Sequence, residues 1–258
     1  MALYQASVLK TYLKQQDAAT VGKAYKKYTK YFLNPTIQEN IRNSKEEQFQ
    51  ATFLTELFVN ILSYTLNPNP SFDLTTEFKN QKNARKADGA ILKGEEAIGV
   101  IELKGTNTKD LESIRKQAFD YKANQKDCVY VVTSNFEKLR FYINDATEFE
   151  EFNLFELTED RFQLLYLCLQ KDSVLTNVPL SIKEASIVEE EKITKSFYRD
   201  YSLFKRELYR DLVKQNGTRL KTESREGLKE VATDEVVKSE LEGIENNVKL
   251  SLFKKSQK

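Results

Sequence analysis

The 258-residue chain contains no histidine. That absence removes zinc sites built on His and Cys, Ser-His-Asp triads and His-Asn-His nucleases, all of which need an imidazole to hold a metal or move a proton. Cysteine is scarce: Cys128 and Cys168 are the only two. Both sit in apolar runs, so they read as small core residues in a reducing compartment. No apolar run approaches the ~20 residues that span a bilayer, and the N-terminus lacks a signal-peptide layout, so a cytoplasmic protein is expected. Charge of one sign is missing too, the balance being +1. A nucleic-acid partner therefore has to be met by a local basic surface, because there is no global positive field.

What is present supports a real core. Hydrophobic residues make up 40% and charged residues 31%, which suits one large domain, or a domain with an appendage, carrying much exposed helix. Glycine is rare, with eight in the chain. Four of the eight, Gly89, Gly94, Gly99 and Gly105, fall within residues 86–105. There two apolar runs, Ala90–Leu92 and Ala97–Ile101, flank a polar break at Lys93–Glu96. This is the pattern of two antiparallel strands joined by a tight turn.

The second strand ends Glu102-Leu103-Lys104. Residues two apart leave the same face of a strand, so Glu102 and Lys104 share a face and Leu103 points the other way. Folding back about Gly94–Glu95 brings Asp88 roughly opposite Ile101–Glu102. Two carboxylates ~4 Å apart repel by roughly 4 kcal/mol at an effective dielectric of ~20. Either one takes up a proton or a cation sits between them, and a divalent metal is the cation that oxygen ligands favour. An exposed strand end with a salt bridge gives the same sequence.

The spacing Asp-x13-Glu-x-Lys, with Gln117-Ala118-Phe119-Asp120-Tyr121 behind it as a Gln-x-x-x-Tyr element, resembles the PD-(D/E)XK nuclease superfamily. Ala87 stands where that pattern usually has proline. The resemblance implies an α/β (α+β) fold with a restriction-endonuclease-like core, a mixed central sheet flanked by helices, and helical extensions at both ends. It implies Mg2+, for which Mn2+ can substitute, held by Asp88, Glu102 and the Leu103 carbonyl. Lys104 would position the attacking water and Gln117 would support the cluster. A helix ahead of the first strand often adds an acidic residue in this superfamily, and Glu47 is the candidate. The alternative for Glu47 is a plain first-turn glutamate complementing the helix dipole.

The remaining chain frames these residues. Residues 2–33 read as helix, with Asp17 capping the second half. Its tyrosines at helical spacing read as a packed face with lysines on the wet side. Asn34-Pro35 is a break. Ser44 with Glu47 reads as a capping box opening a long helix that buries Phe49, Phe53, Leu54, Leu57, Phe58, Ile61 and Leu62. Residues 72–78 alternate as a first strand. Lys79, Lys82, Arg85 and Lys86 then form a basic loop just ahead of Asp88, suited to a DNA backbone or simply to solvent. A helix is expected over 107–124, strands over 129–133 and 139–143, and a helix from Glu159 to about Gln170. Pro179 reads as a boundary, Glu189–Glu191 as a helix start, Asn216-Gly217 as its stop, and 233–253 as one more amphipathic helix.

The run Val129–Phe141 and Ile193-Thr194-Lys195-Ser196-Phe197-Tyr198-Arg199-Asp200-Tyr201 look like the amino-terminal region of type IIG restriction–modification proteins. In that family a nuclease domain precedes a helical connector, an S-adenosylmethionine-dependent adenine-N6 methyltransferase and a target-recognition domain. The implied layout is an endonuclease domain over 1–172 (a helical segment over 1–65, a sheet core over 70–145) and a helical connector over 173–258. The methyltransferase, its cofactor and target recognition would lie in sequence beyond this chain. Double-stranded DNA and a transient dimer are the implied partners. The other readings are a non-catalytic nucleic-acid or protein-interaction module, and a stand-alone repair nuclease or exonuclease.

Overall fold

The glycine-marked stretch forms the middle of a six-stranded sheet of order β1-β2-β3-β4-β5-β6. A computed structural model describes residues 3–79 and 86–223, with side chains described for 3–78 and 86–215. The strands are β1 (Leu74–Lys79), β2 (Lys86–Lys93), β3 (Glu96–Leu103), β4 (Tyr130–Ser134), β5 (Lys138–Ile143) and β6 (Phe149–Asn153). Every neighbouring pair is antiparallel except β3 with β4. That parallel pair needs a crossover, and α5 (Glu112–Ala123) provides it. The fold is mixed α/β with a largely antiparallel open sheet. The sequence shows no separate signal for β6, and α5 begins later than the pattern suggests, after a loop over 104–111.

One detail of register fixes the site. At the hairpin turn Lys93 pairs with Glu96 and Leu92 with Ala97, but Ile91 pairs with Gly99 and Gly89 with Ile101. Ile98 is thus an extra residue, a β-bulge. Without it Asp88 would stand opposite Ile101, and Glu102 would leave the other face, because a slip of one residue inverts every side chain. With it the ladder pairs Gly89 with Ile101, so Asp88 and Glu102 are the next residues along the two strands.

Helices cover both faces. On one, α2 (Ala18–Phe32), α4 (Glu46–Phe53), a π-helix (Leu54–Ile61) and α6 (Glu159–Leu169) build the main core with Ile91, Ile101 and Leu103. All seven apolar residues expected inward over 49–62 are buried. The tyrosine face of α2 is packed as expected: Tyr28 is fully buried and donates to the Leu154 carbonyl, and Tyr25 lies 5.2 Å from the Phe162 ring. Lys23, Lys26, Lys27 and Lys30 face solvent. On the other face α5 covers a small cluster of Val100, Ala118, Tyr121, Val131 and Tyr142. Cys128 and Cys168 are buried and unbridged.

Several boundaries differ from the sequence reading. Residues 2–33 form two helices, α1 (Ala6–Gln15) and α2, the second capped by Asp17 through Thr20 N at 2.9 Å. Asn34-Pro35 starts α3 (Pro35–Asn43), with Asn34 as its cap and Pro35 at its first position, where a missing N–H costs nothing. Ser44 does not cap α4. Its hydroxyl donates back to the Asn40 carbonyl at 2.7 Å, so α4 starts at Glu46, with the Gln48 side chain accepting from Lys45 N at 3.1 Å. After α7 (Lys171–Leu175), Pro179 is the second residue of α8 (Val178–Glu223) rather than a break, and α8 continues through Asn216-Gly217. The chain divides into two compact units, one over Met1–Glu189 and one over Glu190–Lys258. The helix expected over 233–253 lies outside the described residues. Among the described residues no helix is long and apolar enough to cross a membrane.

Candidate active site

Strands β2 and β3 and helices α4 and α5 deliver their polar residues to one place. Asp88, half-buried, accepts the Leu103 backbone N–H through Oδ2 at 2.7 Å. This bond anchors the end of β2 to the end of β3. Glu102 is 1% exposed. Its Oε1 accepts from Lys104 Nζ at 3.3 Å and from Gln117 Nε2 at 2.5 Å. Its Oε2 is buried with no hydrogen-bond partner. Lys104 Nζ also reaches Glu46 Oε1 at 3.2 Å, and Glu46 Oε2 accepts from Gly105 N at 3.2 Å. Gln117 is held in turn by the Tyr121 hydroxyl, 3.2 Å away and one helical turn on.

The electrostatics follow from burial. The Glu102 carboxyl is pushed up to about 8, first by burial and then by the negative charge of Asp88, with Lys104 pulling the other way. Asp88 is raised, again chiefly by burial. The Leu103 N–H, Lys104 and the Gln50 amide favour its charged form, and Glu46 opposes it. Lys104 is raised: burial disfavours its charge, but Glu102, Glu46 and Asp88 outweigh burial. Among the described residues the site therefore has a surplus of negative charge that the Lys104 ammonium does not cancel.

Asp88, Glu102, Lys104 and Gln117 are brought together as the sequence suggested. Glu47 is not: its side chain is exposed, and the acidic residue that α4 contributes is Glu46. The signal was there to be read. On a helix Glu47 lies about 200° round from the buried Phe49, whereas Glu46 lies about 60° from it. Gln50, one turn after Glu46 and bonded to it at 3.4 Å, was also missed. Of the basic loop, Lys86 is exposed and pairs with Glu77 at 2.7 Å. Lys82 and Arg85 lie outside the described residues, as does the Lys79 side chain.

No family model, curated protein or solved structure matches the chain.

A divalent cation fits the donor set. A buried carboxylate oxygen without a partner is costly unless something positive or protic meets it, and Glu102 Oε2 is such an atom beside a second carboxylate. Among the described residues no three His, Cys, Asp or Glu side chains are grouped to hold a metal. The fit rests on two carboxylates, a short protein ligand set that suits Mg2+, a cation that keeps most of its waters.

Proposed function

We propose that this chain is a Mg2+-dependent endonuclease domain that hydrolyses phosphodiester bonds in double-stranded DNA. We read its core as restriction-endonuclease-like and its parent as a restriction–modification protein of the type IIG kind. The observation that carries the reading is the convergence of Asp88, Glu102 and Lys104 at one strand end, with Gln117 fixing Glu102 and Glu102 Oε2 left without a partner.

Asp88, Glu102 and the Leu103 carbonyl are the groups that would hold the ion. Bound Mg2+ supplies positive charge that polarises a phosphoryl oxygen and makes a water acidic. The other tasks fall to the chain itself. The Leu103 N–H holds Asp88 by Oδ2. Gln117, braced by Tyr121, holds Glu102 by Oε1, so Oε2 keeps its direction. Lys104 carries three donors on a partly exposed ammonium. It directs a water toward phosphorus and balances charge on the phosphate. Glu46 orients that ammonium. Lys79, Lys82, Arg85 and Lys86, just ahead of Asp88 in the sequence, would supply cations to the DNA backbone.

The test is cleavage of supercoiled and linear double-stranded DNA by the chain in Mg2+, beside Asp88→Ala and Lys104→Ala. Cutting by the wild-type chain and its loss in both variants supports the reading. Equal cutting by both variants contradicts it.

A further inference from the structure

On the sheet face that α5 covers, polar side chains continue past Glu102. Val100, Val131 and Tyr142 belong to the cluster under α5. Glu102 and Thr133 stand two residues on from Val100 and Val131, so their side chains leave the same face. The register sets Glu102 beside Thr133 across the parallel β3–β4 pair, and Thr133 beside Arg140 across β4–β5. Among the described residues Glu102 Oε2, Thr133 Oγ1 and the Tyr142 hydroxyl are buried atoms with no hydrogen-bond partner. Glu102 is 1% exposed, and Thr133 and Tyr142 are fully buried.

A buried hydroxyl with nothing to bond is a cost without a return. Valine has the shape and strand preference of threonine and would bring no polar atom to position 133. The neighbours do not supply the missing bond. Arg140 is engaged by Glu112 and Glu151, each at 2.6 Å, and lies over the Phe149 ring. Burial pushes the Tyr142 hydroxyl up, and Arg140 and Thr133 oppose that shift. Both therefore lie close to this oxygen, yet neither bonds it. Lys104 and Gln117 take up Glu102 Oε1 and leave Oε2. Buried polar atoms that lie near one another without a direct bond are joined by water.

We infer that Thr133 is a positioning residue of this site, its hydroxyl joined through water to Glu102 Oε2, with the Tyr142 hydroxyl as a further partner of that water. The water donates to Oε2 and accepts from the Thr133 hydroxyl. Gln117 thus fixes the carboxylate by Oε1, and Thr133 fixes it by Oε2. Partners at this remove set how firmly a ligand holds its ion. The inference rests on the reading that Asp88 and Glu102 hold a divalent cation, and it adds a residue of β4 to that site.

Calorimetric titration of Mn2+ into the full chain, with melting in chelator and in Mn2+, tests it on Thr133→Val, Thr133→Ser and Tyr142→Phe. Thr133→Val is expected to weaken Mn2+ binding roughly tenfold or more, and Thr133→Ser, which keeps the hydroxyl, to restore it. Valine fills the same space, so in chelator Thr133→Val melts close to wild type. What shrinks is the rise in melting temperature on adding Mn2+. Tyr142→Phe acts through the same water, so the double variant loses less affinity than the two single losses combined. Undiminished affinity in Thr133→Val overturns the inference and leaves the cation reading standing. So does a loss that Thr133→Ser shares, a melting temperature that falls equally in chelator and in Mn2+, or losses that simply add in the double variant. A wild-type chain that binds no Mn2+ overturns both.

Discussion

Asp88 and Glu102 interact at the open end of the β2–β3 ladder, whose register the bulge at Ile98 shifts by one residue. The Leu103 N–H then closes on Asp88 at 2.7 Å, and Glu102 is drawn toward Lys104 and Gln117. Two carboxylates that burial would keep apart are thereby set side by side.

That juxtaposition gives a pH dependence of stability with a definite sign. Glu102 is pushed up to about 8 by burial and by Asp88, above the ~4.3 of an unfolded glutamate. A raised carboxyl favours the folded state in its protonated form. Its contribution is whole below ~4.3 and is lost as pH rises toward about 8. Asp88, also raised, acts in the same direction. In chelator the melting temperature is expected to fall between about pH 5 and 8. Glu102→Gln keeps an acceptor for Gln117 and Lys104, so it should melt above wild type at pH 8 and close to it at pH 5. A slope unchanged in Glu102→Gln would assign the effect elsewhere.

Among the described residues Lys104 is the ammonium that meets these carboxylates, with Glu102 and Glu46 both within 3.3 Å. Lys104→Met leaves Glu102 buried and uncompensated, a change worth about 3–5 kcal/mol when a fully buried pair is broken. Lys104 is only partly buried, so a smaller loss is expected. Urea denaturation should show the loss at pH 8.5 and much less of it at pH 5, where Glu102 is neutral. An equal loss at both values would mean the lysine acts by packing alone.

Glu46 and Glu47 are neighbours in sequence with opposite surroundings. Glu46 holds Lys104 and the Gly105 N–H, while Glu47 faces solvent. Glu46→Gln is expected to lower Mg2+-dependent cleavage at least tenfold with little change in stability, since the pair it breaks is partly exposed. Glu47→Gln should stay within about twofold of wild type. Activity that tracks Glu47 instead would contradict the geometry.

How much of this could be read beforehand depended on whether local pattern or tertiary context decided each feature. The hairpin was plain, because glycine and the two apolar runs mark strands and turn directly. The Glu102–Lys104 pair followed from strand alternation, and Gln117 with Tyr121 from helical spacing. The bulge was not visible: Ile98 sits in an unbroken apolar run, where an extra residue leaves no mark. Glu47 is preferred to Glu46 on the family resemblance alone, whereas the angle each makes with the buried Phe49 favours Glu46. At the other end, Pro179 and Asn216-Gly217 are residues that usually interrupt helices. Pro179 occupies a first-turn position that tolerates it, and α8 runs through the Asn-Gly pair.

The central claim is that Asp88 and Glu102 together hold a divalent cation. Calorimetric titration of Mn2+ into the chain at pH 8.5 tests it directly, with Asp88→Asn alongside. The wild-type chain should bind Mn2+, and Asp88→Asn should lose most of that heat. Equal heats from both proteins, or no binding by the wild-type chain, would contradict it.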